Sequence, residues 1–424
     1  MSSLPPVTPY SEKQLAELYP KELKLTYLQV IFRHGERTPV RARLKNVVPE
    51  HWPLCQTAER FRSIVRLSRN HSDSVEYSRL VESAGINGDP VSLDQKGICL
   101  LGELTDRGRE STLALGERLR NLYVNRLAYL PEDITSDSQV YLRTTNMSRT
   151  WETLQHVFAG LYPPAHRSSL FKPKAHTRNV TEENLYPNEH HCKRLAALAY
   201  QFSQKAATKW DPILKEKVTP KLRHLLSNGI TVNGSPRVSG VLDTINAALG
   251  NGIPLPSALF DPEVYQILEK SAVSEWFDGY EQSNEYRRLG VGRFLGDIYT
   301  RMTDKNNTTK VALYASHDTT IAAILASLDC FDGAWPFYTS HIAIETFTSA
   351  KSSNSWFSKP QKYVRLRYND KALKLPACAE TVNHYEGDES LCTMKAFGDA
   401  VKKMIPNNWQ EECNFEMDRL AELE

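Results

Sequence analysis

The sequence has no long hydrophobic run and no excess of either charge. Its longest apolar stretch, residues 311–328, is interrupted by His317 and Asp318 and is therefore unsuited to crossing a bilayer. The chain has 52 lysines and arginines against 50 acidic residues, a formal net charge of +2 over 424 residues. This balance excludes the broad electrostatic attraction by which basic proteins bind nucleic acid or anionic lipid. Chemistry with anions must therefore come from a few basic residues at one spot.

Targeting signals are also missing from the amino-terminal sequence. Residues 1–6 lack the basic and apolar segments of a signal peptide, and no arginine-rich presequence pattern follows. We therefore predict a cytoplasmic location, with a mitochondrial or secreted location as the alternative. Seven cysteines, three of them (Cys378, Cys392 and Cys413) near the carboxyl terminus, are typical of disulfide-bearing proteins and favour the alternative. The odd count leaves at least one thiol free, and the pairing stays open.

Apolar runs and helical periodicity alternate along most of the chain. Residues 25–32 are apolar on both faces, which predicts a central strand in a covered sheet. Thr105 is the predicted cap of a helix that continues to Tyr123. The other predicted strands are 140–142, 311–315 and an antiparallel pair, 342–347 with 363–368. This interleaving predicts an α/β fold with a mostly parallel central sheet sandwiched by helices.

Between residues 166 and 280 the pattern becomes helical, with Pro- and Gly-rich turns and no convincing strand. The helices predicted in this block are 193–209, 212–226, 239–249 and 262–277. We predict that the block is an inserted all-helical cap domain. The α/β core then has two halves, 22–165 and 281–424, and residues 41–103 form an excursion over the active-site face.

Three predicted strands are each followed by residues that bind or attack phosphate. These residues are Arg33, His34 and Arg37 after the first strand, Arg143 after the second, and His317 and Asp318 after the third. The ligand crevice of an open α/β sheet lies outside the carboxyl ends of its strands, so we expect one shared pocket. Arginine offers paired donors to phosphate oxygens, and a neutral imidazole can attack phosphorus. Asp318, at the predicted cap of a helix, can pass a proton to the leaving alcohol.

These segments resemble the histidine acid phosphatase family, a branch of the histidine phosphatase superfamily. The family signature RHGxRxP is intact here as Arg33, His34, Gly35, Arg37 and Pro39. Further matches are Leu104-Thr105-x-x-Gly108, Leu115-Gly116-x-x-Leu119-Arg120-x-x-Tyr123, Arg143-Thr144-Thr145 with Arg149, and His317-Asp318. The resemblance spans about residues 25–400. It is closest to lysophosphatidic acid phosphatase-like members, through residues 120–123, 185–188 and a tail that contains Cys378 and Cys392.

The resemblance implies a phosphomonoesterase that needs no cofactor and no metal ion. His34 would form a phosphohistidine, Asp318 would donate the proton, and water would then release phosphate. The implied phosphate ligands are Arg33, Arg37, Arg143 and His317. Asp318 must be protonated and His34 neutral in the first step, so we expect an acidic pH optimum. The expected partner is a small phosphate monoester, and the oligomeric state stays open.

Two other functions remain open. A phytase shares the whole constellation and differs mainly in the lining of its pocket. A non-catalytic phospholigand-binding protein would have lost the nucleophile or the acid, and here both are present. A mutase-like enzyme fits less well, because that branch lacks the second arginine and the proline of the signature.

Several nearby residues admit both a functional and a structural interpretation. Arg149 suits a carboxylate partner as well as a substrate, and Arg41 and Arg43 suit a solvated surface as well as an anionic substrate. The aromatic residues Trp276, Phe277 and Tyr280 are expected to pack in the cap. A zinc site at residues 190–192 is disfavoured because no second pair of ligands is evident.

Overall fold

The computed structural model describes residues 10–84, 90–93, 95–168, 171–226, 228–349 and 360–414. The strands are β1 (Leu23–Arg33), β2 (Arg60–Arg66), β3 (Ser72–Ser78), β4 (Glu82–Ala84), β5 (Pro90–Ser92), β6 (Val140–Thr144), β7 (Ala175–His176), β8 (Val311–Ser316), β9 (His341–Ser349), β10 (Lys362–Tyr368), β11 (Lys371–Ala372), β12 (His384–Tyr385) and β13 (Asp388–Thr393). The helices are α1 (Glu12–Leu18), α2 (Asp106–Arg120), α3 (Ser148–Leu161), α4 (Lys193–Ile213), α5 (Thr219–Leu222), α6 (Val238–Gly250), α7 (Pro262–Gln282), α8 (Asn284–Arg287), α9 (Arg293–Thr303), α10 (Asp318–Ser327), α11 (Met394–Lys402) and α12 (Trp409–Cys413). Of the helices in these ranges, none is both long and apolar enough to cross a membrane.

One large sheet organises the molecule, with the strand order β12-β13-β10-β9-β1-β8-β6-β7 and β11 at the side of β10. Strands β1, β8, β6 and β7 run parallel, whereas β9, β10 and β13 pair antiparallel. Apolar clusters lie on both faces of this sheet, where helices cover it. The predicted α/β fold is confirmed, as are the central first strand and the antiparallel pair.

The three strands that carry the candidate site end at the same edge of the sheet. Arg33 at the end of β1 is level with Ser316 at the end of β8. Thr144 at the end of β6 pairs with Ala315 of β8. The residues that follow these strands therefore lie side by side at one edge of the sheet. Ligand-binding crevices of open α/β sheets form at this edge, outside the carboxyl ends of the strands.

Residues 41–103 contain structure that the sequence pattern did not predict. Strands β2 and β3 form a separate two-stranded sheet, and β4 pairs with β5. The strands β2 and β3 do not pack on the central sheet, and nearly all their residues are exposed. They therefore lack the sustained alternation of buried and exposed residues on which strand prediction depends.

The helical block has an apolar core of its own, built mainly from α4, α6, α7 and the segments between them. A predicted helix boundary at Pro212 was wrong, because α4 continues through Pro212. The wider π turns of Leu214–Val218 follow directly. The short strand β7 also lies within residues 166–280 and pairs with β6. The division into two core halves and a cap stays a prediction.

Three cysteine pairs are joined by disulfide bonds: Cys55–Cys99, Cys192–Cys413 and Cys378–Cys392. The Cys192–Cys413 bond joins the amino end of α4 to the last residue of α12. The remaining cysteine, Cys330, is free. The predicted free thiol is therefore confirmed.

A buried polar network lies where β9 and β10 meet the π turns Asn121–Arg126 that follow α2. The Glu345 carboxylate accepts hydrogen bonds from the hydroxyls of Tyr19 (2.6 Å) and Tyr123 (2.7 Å). Its Oε1 also lies 3.3 Å from Nε of Arg367, and both charged side chains are almost completely buried. Burying such charges is costly unless each keeps its partner, so the network makes this layer of the fold sensitive to single substitutions.

We expect Arg367→Met to lower the free energy of unfolding by about 3–5 kcal/mol, because Glu345 would remain buried without its cation. Denaturant unfolding followed by circular dichroism measures the change. Lys395→Ala is the matched control, since it breaks only the exposed Lys395–Asp399 pair and should leave the free energy of unfolding nearly unchanged. Equal losses in the two variants would contradict the assigned role of the network.

Candidate active site

The signature loop after β1 is held against the start of α2 by a contact between two glycines. A Cβ atom on Gly35 would lie 2.4 Å from the carbonyl oxygen of Gly108, and one on Gly108 would lie 2.1 Å from that of Glu36. Neither position can accept a side chain at this spacing. Thr105 caps α2 as predicted and also donates its hydroxyl to the carbonyl of Glu36 at 3.1 Å. The loop conformation around His34 is therefore fixed by backbone contact with α2.

His34 is buried, and its environment keeps the imidazole neutral. Its Nδ1 lies 3.0 Å from the carbonyl oxygen of Gly35. A carbonyl only accepts, so Nδ1 carries the proton and Nε2 keeps its lone pair. Burial, followed by the positive charges of Arg37, Arg149 and Arg33, holds the pKa of His34 well below its usual value. The ring is thus ready to act as a nucleophile even in acidic solution.

Arg33 and Arg37 are buried next to His34 and are held by carboxylates. Arg33 forms an ion pair with Asp318 at 2.7 Å, and its guanidinium stacks 4.1 Å from the centroid of the Tyr338 ring. Arg37 pairs with Asp243 of α6 at 2.7 Å. In both arginines the buried Nε has no hydrogen-bond partner in the described structure. Each therefore has one N–H donor that is not engaged by the described residues.

Arg143, which the sequence predicts as a phosphate ligand, has its guanidinium bound to a buried carboxylate and is not among the residues that line the two cavities described below. Its Nη2 and Nη1 bond the two oxygens of buried Glu183 at 2.6 and 3.2 Å, and Nη1 also donates to the carbonyl of Thr144. Glu183 in turn accepts the backbone N–H groups of Asn184 and Leu185. This pair holds the turn that follows it, and Tyr186 in that turn lies edge-on to His317.

Arg149, at the start of α3, lies in the pocket instead. It lines the same cavity as His317 and Asp318. Its buried Nε has no hydrogen-bond partner among the described residues, and no ion pair there involves Arg149. Burial and the neighbouring charge of Arg37 lower the pKa of Arg149 to about 10, so the group is still charged at acidic and neutral pH. Arg149 thus differs from Arg143 because its guanidinium has no carboxylate partner among the described residues. This difference is visible in the structure and not in the sequence.

His317 and Asp318 stand at the amino end of α10. His317 is the cap residue and Asp318 the first helical residue, so the predicted cap position shifts by one. Burial, followed by Arg149, lowers the pKa of His317. Its Nε2 lies 3.3 Å from the hydroxyl of Thr145.

Two partners hold one carboxylate oxygen of Asp318. Its Oδ2 accepts from Arg33 at 2.7 Å and from Nε1 of Trp335 at 3.0 Å. Burial alone would raise the pKa of Asp318, but Arg33, Arg37 and the bond from Trp335 outweigh it and lower the pKa. In the absence of substrate the carboxyl is therefore ionised.

Two cavities open beside these residues. One has a volume of about 330 Å³, and its lining includes Tyr186, Trp276, Phe277, Tyr280 and Tyr286 as well as His317 and Asp318. The aromatic residues that were expected only to pack thus also line this cavity. The other has a volume of about 660 Å³ and is lined by Arg37, Arg41, Arg43 and Arg237 together with Asp243 and Trp335. The first offers an apolar surface to a leaving group and the second a positively charged one.

Metal-binding side chains do not cluster in the described part of the chain. No group of three or more His, Cys, Asp or Glu residues there could hold a metal ion. Of the residues considered for zinc, Cys192 is bound to Cys413 in a disulfide.

Known proteins resemble this chain over almost its whole length. Residues 24–369 match the family model described as "Histidine phosphatase superfamily (branch 2)". A Schizosaccharomyces pombe protein described as "Probable acid phosphatase" is 38% identical over 93% of this chain and 95% of its own. "Lysophosphatidic acid phosphatase type 6" of Mus musculus is 27% identical over 95% and 90% of the two chains. Among solved structures, Hafnia alvei phytase with tartrate has a TM-score of 0.61 at 14% identity, over 94% and 100% of the two chains.

We expect Arg149→Ala to weaken inhibition by inorganic phosphate by about 10- to 150-fold, the loss of one hydrogen bond to a charged group. The inhibition constant in a steady-state assay measures this. Arg143→Met is the comparison: it should lower the free energy of unfolding by about 3–5 kcal/mol, because Glu183 loses its cation, while the inhibition constant changes less than about threefold. A large effect of Arg143→Met on the inhibition constant, together with little effect of Arg149→Ala, would instead identify Arg143 as the phosphate ligand.

We expect Trp335→Phe to raise the pKa of Asp318, because it removes a hydrogen bond to the ionised form. If the protonated acid is the active form, the basic limb of the pH profile of kcat/KM should move to higher pH. Trp276→Phe is the matched control, since the buried Nε1 of Trp276 has no hydrogen-bond partner among the described residues. If the basic limb of the profile in Trp335→Phe is unchanged or moves to lower pH, Asp318 is not the acid that this limb reports.

Proposed function

The chain belongs to branch 2 of the histidine phosphatase superfamily and is a phosphomonoesterase, and we propose that it acts through a covalent phosphohistidine at His34. The observation that carries the proposal is a buried imidazole with a free Nε2 among three arginines and a carboxyl group. Neutral imidazole supplies the electron pair, and the arginines neutralise the phosphoryl oxygens as charge develops on them. A non-catalytic phospholigand-binding protein would need none of this pairing between nucleophile and acid.

The reaction has two steps. In the first, His34 Nε2 forms a bond to phosphorus while the ester P–O bond breaks, and the leaving oxygen takes the proton of Asp318. In the second, water attacks the phosphohistidine, its proton passes to the Asp318 carboxylate, and the P–N bond breaks to release inorganic phosphate. Arg33, Arg37 and Arg149 hold the non-bridging oxygens through both steps.

Asp318 is ionised in the free site, yet the first step requires it protonated. The substrate itself resolves this conflict. A phosphate group that takes over the Arg33 guanidinium removes the principal charge that stabilises the carboxylate, and its own negative charge raises the pKa of Asp318 further. We therefore propose that substrate binding protonates Asp318, which favours activity at acidic pH.

For the leaving group we propose an apolar chain, as in lysophosphatidate. The aromatic cavity next to Asp318 offers such a chain a preformed surface, and aromatic lining is common in sites for apolar ligands. The similarity to a mouse lysophosphatidic acid phosphatase supports the same substrate class.

A phytase-like activity on inositol polyphosphates is the second candidate, and the arginine-lined cavity favours it. Arg43 carries a buried Nη1 without a hydrogen-bond partner in the described structure. Burial, and then the neighbouring Arg41 and Arg237, lower the pKa of Arg43 against the opposing effect of Asp243. A second phosphate on the substrate would relieve this repulsion.

The disulfide bonds are relevant to the cellular compartment in which the protein matures. Three cystines in one chain are typical of proteins that mature under oxidising conditions. We therefore propose that the protein matures in an oxidising compartment, contrary to the predicted cytoplasmic location. Non-reducing mass spectrometry of the protein isolated with its thiols blocked tests this directly, and unpaired Cys55, Cys192 and Cys378 would contradict it.

We expect His34→Ala to abolish hydrolysis of an aryl phosphate across acidic pH. Asp318→Asn should lose more activity on an alkyl phosphate than on p-nitrophenyl phosphate, because p-nitrophenolate leaves without a proton. The ratio of kcat/KM for the two substrates measures the difference, and we expect a change of about 100-fold or more. Wild-type hydrolysis in His34→Ala, or an unchanged ratio in Asp318→Asn, would refute the mechanism.

We expect wild-type kcat/KM to be higher for lysophosphatidate than for glycerol phosphate, which has the same head but no acyl chain. Trp276→Ala should lower the value for lysophosphatidate about tenfold and leave that for glycerol phosphate unchanged, because only the chain reaches the aromatic wall. Arg43→Gln should change neither. A preference for inositol hexakisphosphate that Arg43→Gln removes would instead establish the phytase-like candidate.

A further inference from the structure

Strands β2 and β3 form a hairpin, residues 60–78, that stands apart from the central sheet. Seven residue pairs join the two strands, from Arg60 opposite Ser78 to Arg66 opposite Ser72. All but one of the residues of the two strands are exposed. A two-stranded ribbon with so little packing is only marginally stable by itself, so a surface is expected to cover it.

Large apolar side chains on and beside this exposed hairpin face solvent. The exposed fractions are 80% for Ile64, 61% for Leu67, 49% for Phe61, 42% for Tyr77 and 80% for Leu80. Phe61 and Tyr77 stack on one face with their ring centroids 5.2 Å apart. By the strand pairing, Ile64 lies on the opposite face from Phe61 and Tyr77, so both faces of the hairpin carry exposed apolar side chains. Single exposed apolar residues are ordinary, but several on one projecting element indicate an interaction surface.

The exposed hairpin is also positively charged, although the chain as a whole is nearly neutral. It carries Arg60, Arg62, Arg66 and Arg69 against two acids, Asp73 and Glu76. Of these four arginines only Arg62 has an ion-pair partner among the described residues, Glu76 at 3.3 Å. The guanidinium of Arg66 donates to the carbonyls of Ser68 and Arg69, which leaves its charge uncompensated.

The base of the exposed hairpin adjoins the rim of the active site. Phe61, Leu100 and Leu101 line one cavity, and the two leucines are 53% and 59% exposed. The next residue, Gly102, faces Arg149, whose Nη1 would lie 3.7 Å from a Cβ atom on that glycine. A surface that contacts the hairpin therefore lies close to the phosphate pocket.

We propose that the exposed hairpin docks on an anionic lipid surface. Its apolar and aromatic side chains enter the boundary between headgroups and acyl chains, and its arginines contact lipid phosphates. A second copy of this chain is the less favoured occupant, because facing hairpins would bring like charges together. The proposal does not depend on which phosphomonoester the site hydrolyses, but it would bring a lipid phosphate to the pocket.

Sedimentation with vesicles tests the proposal, using phosphatidylcholine alone and phosphatidylcholine mixed with phosphatidylserine. The wild-type enzyme should bind the mixed vesicles, bind phosphatidylcholine much more weakly, and dissociate as salt is raised. The triple variant Arg60→Gln/Arg66→Gln/Arg69→Gln should weaken binding about 100-fold, from about fivefold for each arginine. Ile64→Ser/Leu67→Ser should also bind more weakly, whereas Val382→Ser, which changes an exposed apolar residue elsewhere, should not.

Hydrolysis of a soluble aryl phosphate should be unchanged in all these variants, because none of the residues contacts the phosphate pocket. A wild-type enzyme that ignores mixed vesicles would overturn the proposal, as would hairpin variants that bind like wild type. A wild-type dimer in analytical ultracentrifugation that Ile64→Ser/Leu67→Ser converts to a monomer would also overturn it, and would assign the surface to a second copy. Loss of aryl phosphate hydrolysis in His34→Ala with normal vesicle binding would separate this proposal from the catalytic one.

Discussion

Arg33, Arg37 and Arg149 concentrate positive charge around one neutral imidazole, and much of the site depends on holding these like charges together. Without an anion, two carboxylates moderate the repulsion: Asp318 pairs with Arg33, and Asp243 pairs with Arg37. The same field holds the pKa of His34 well below its ordinary value. In the proposed mechanism, phosphate binding, the neutrality of the nucleophile and the protonation of the acid all follow from this one electrostatic arrangement.

The fold supplies the framework that this arrangement needs. Parallel strands that end level bring residues from three distant parts of the chain to one edge of the sheet. The contact between Gly35 and Gly108 then fixes the loop that carries His34. The helical block also takes part in the site, because Asp243 of α6 holds both Arg37 and the backbone N–H of Val40. The charge balance in the pocket therefore depends on the packing of the helical block against the α/β core.

Much of this could be predicted from the sequence, because the buried strands β1, β6 and β8 have strong apolar signals and each signature segment lies at or just after the end of one of them. The choice between Arg143 and Arg149 could not, since it depends on Glu183, which is 40 residues away from Arg143 along the chain. The continuation of α4 through Pro212 was missed because packing overrides a local helix breaker. The exposed hairpin was missed because a strand without a buried face has no apolar alternation. The near-neutral net charge of the whole chain likewise gave no indication of the local basic surface on the exposed hairpin.

Direct detection of the phosphoenzyme tests whether the phosphoryl group passes through His34. Enzyme mixed with an aryl phosphate is quenched within one turnover in alkaline denaturant, where phosphohistidine survives, then digested and analysed by mass spectrometry. We expect a peptide that contains His34 and carries the added mass of one phosphoryl group, and we expect this mass to be absent without substrate and in His34→Ala. Full turnover with an unmodified His34 peptide at every quench time, or the phosphoryl group on another residue, would contradict it.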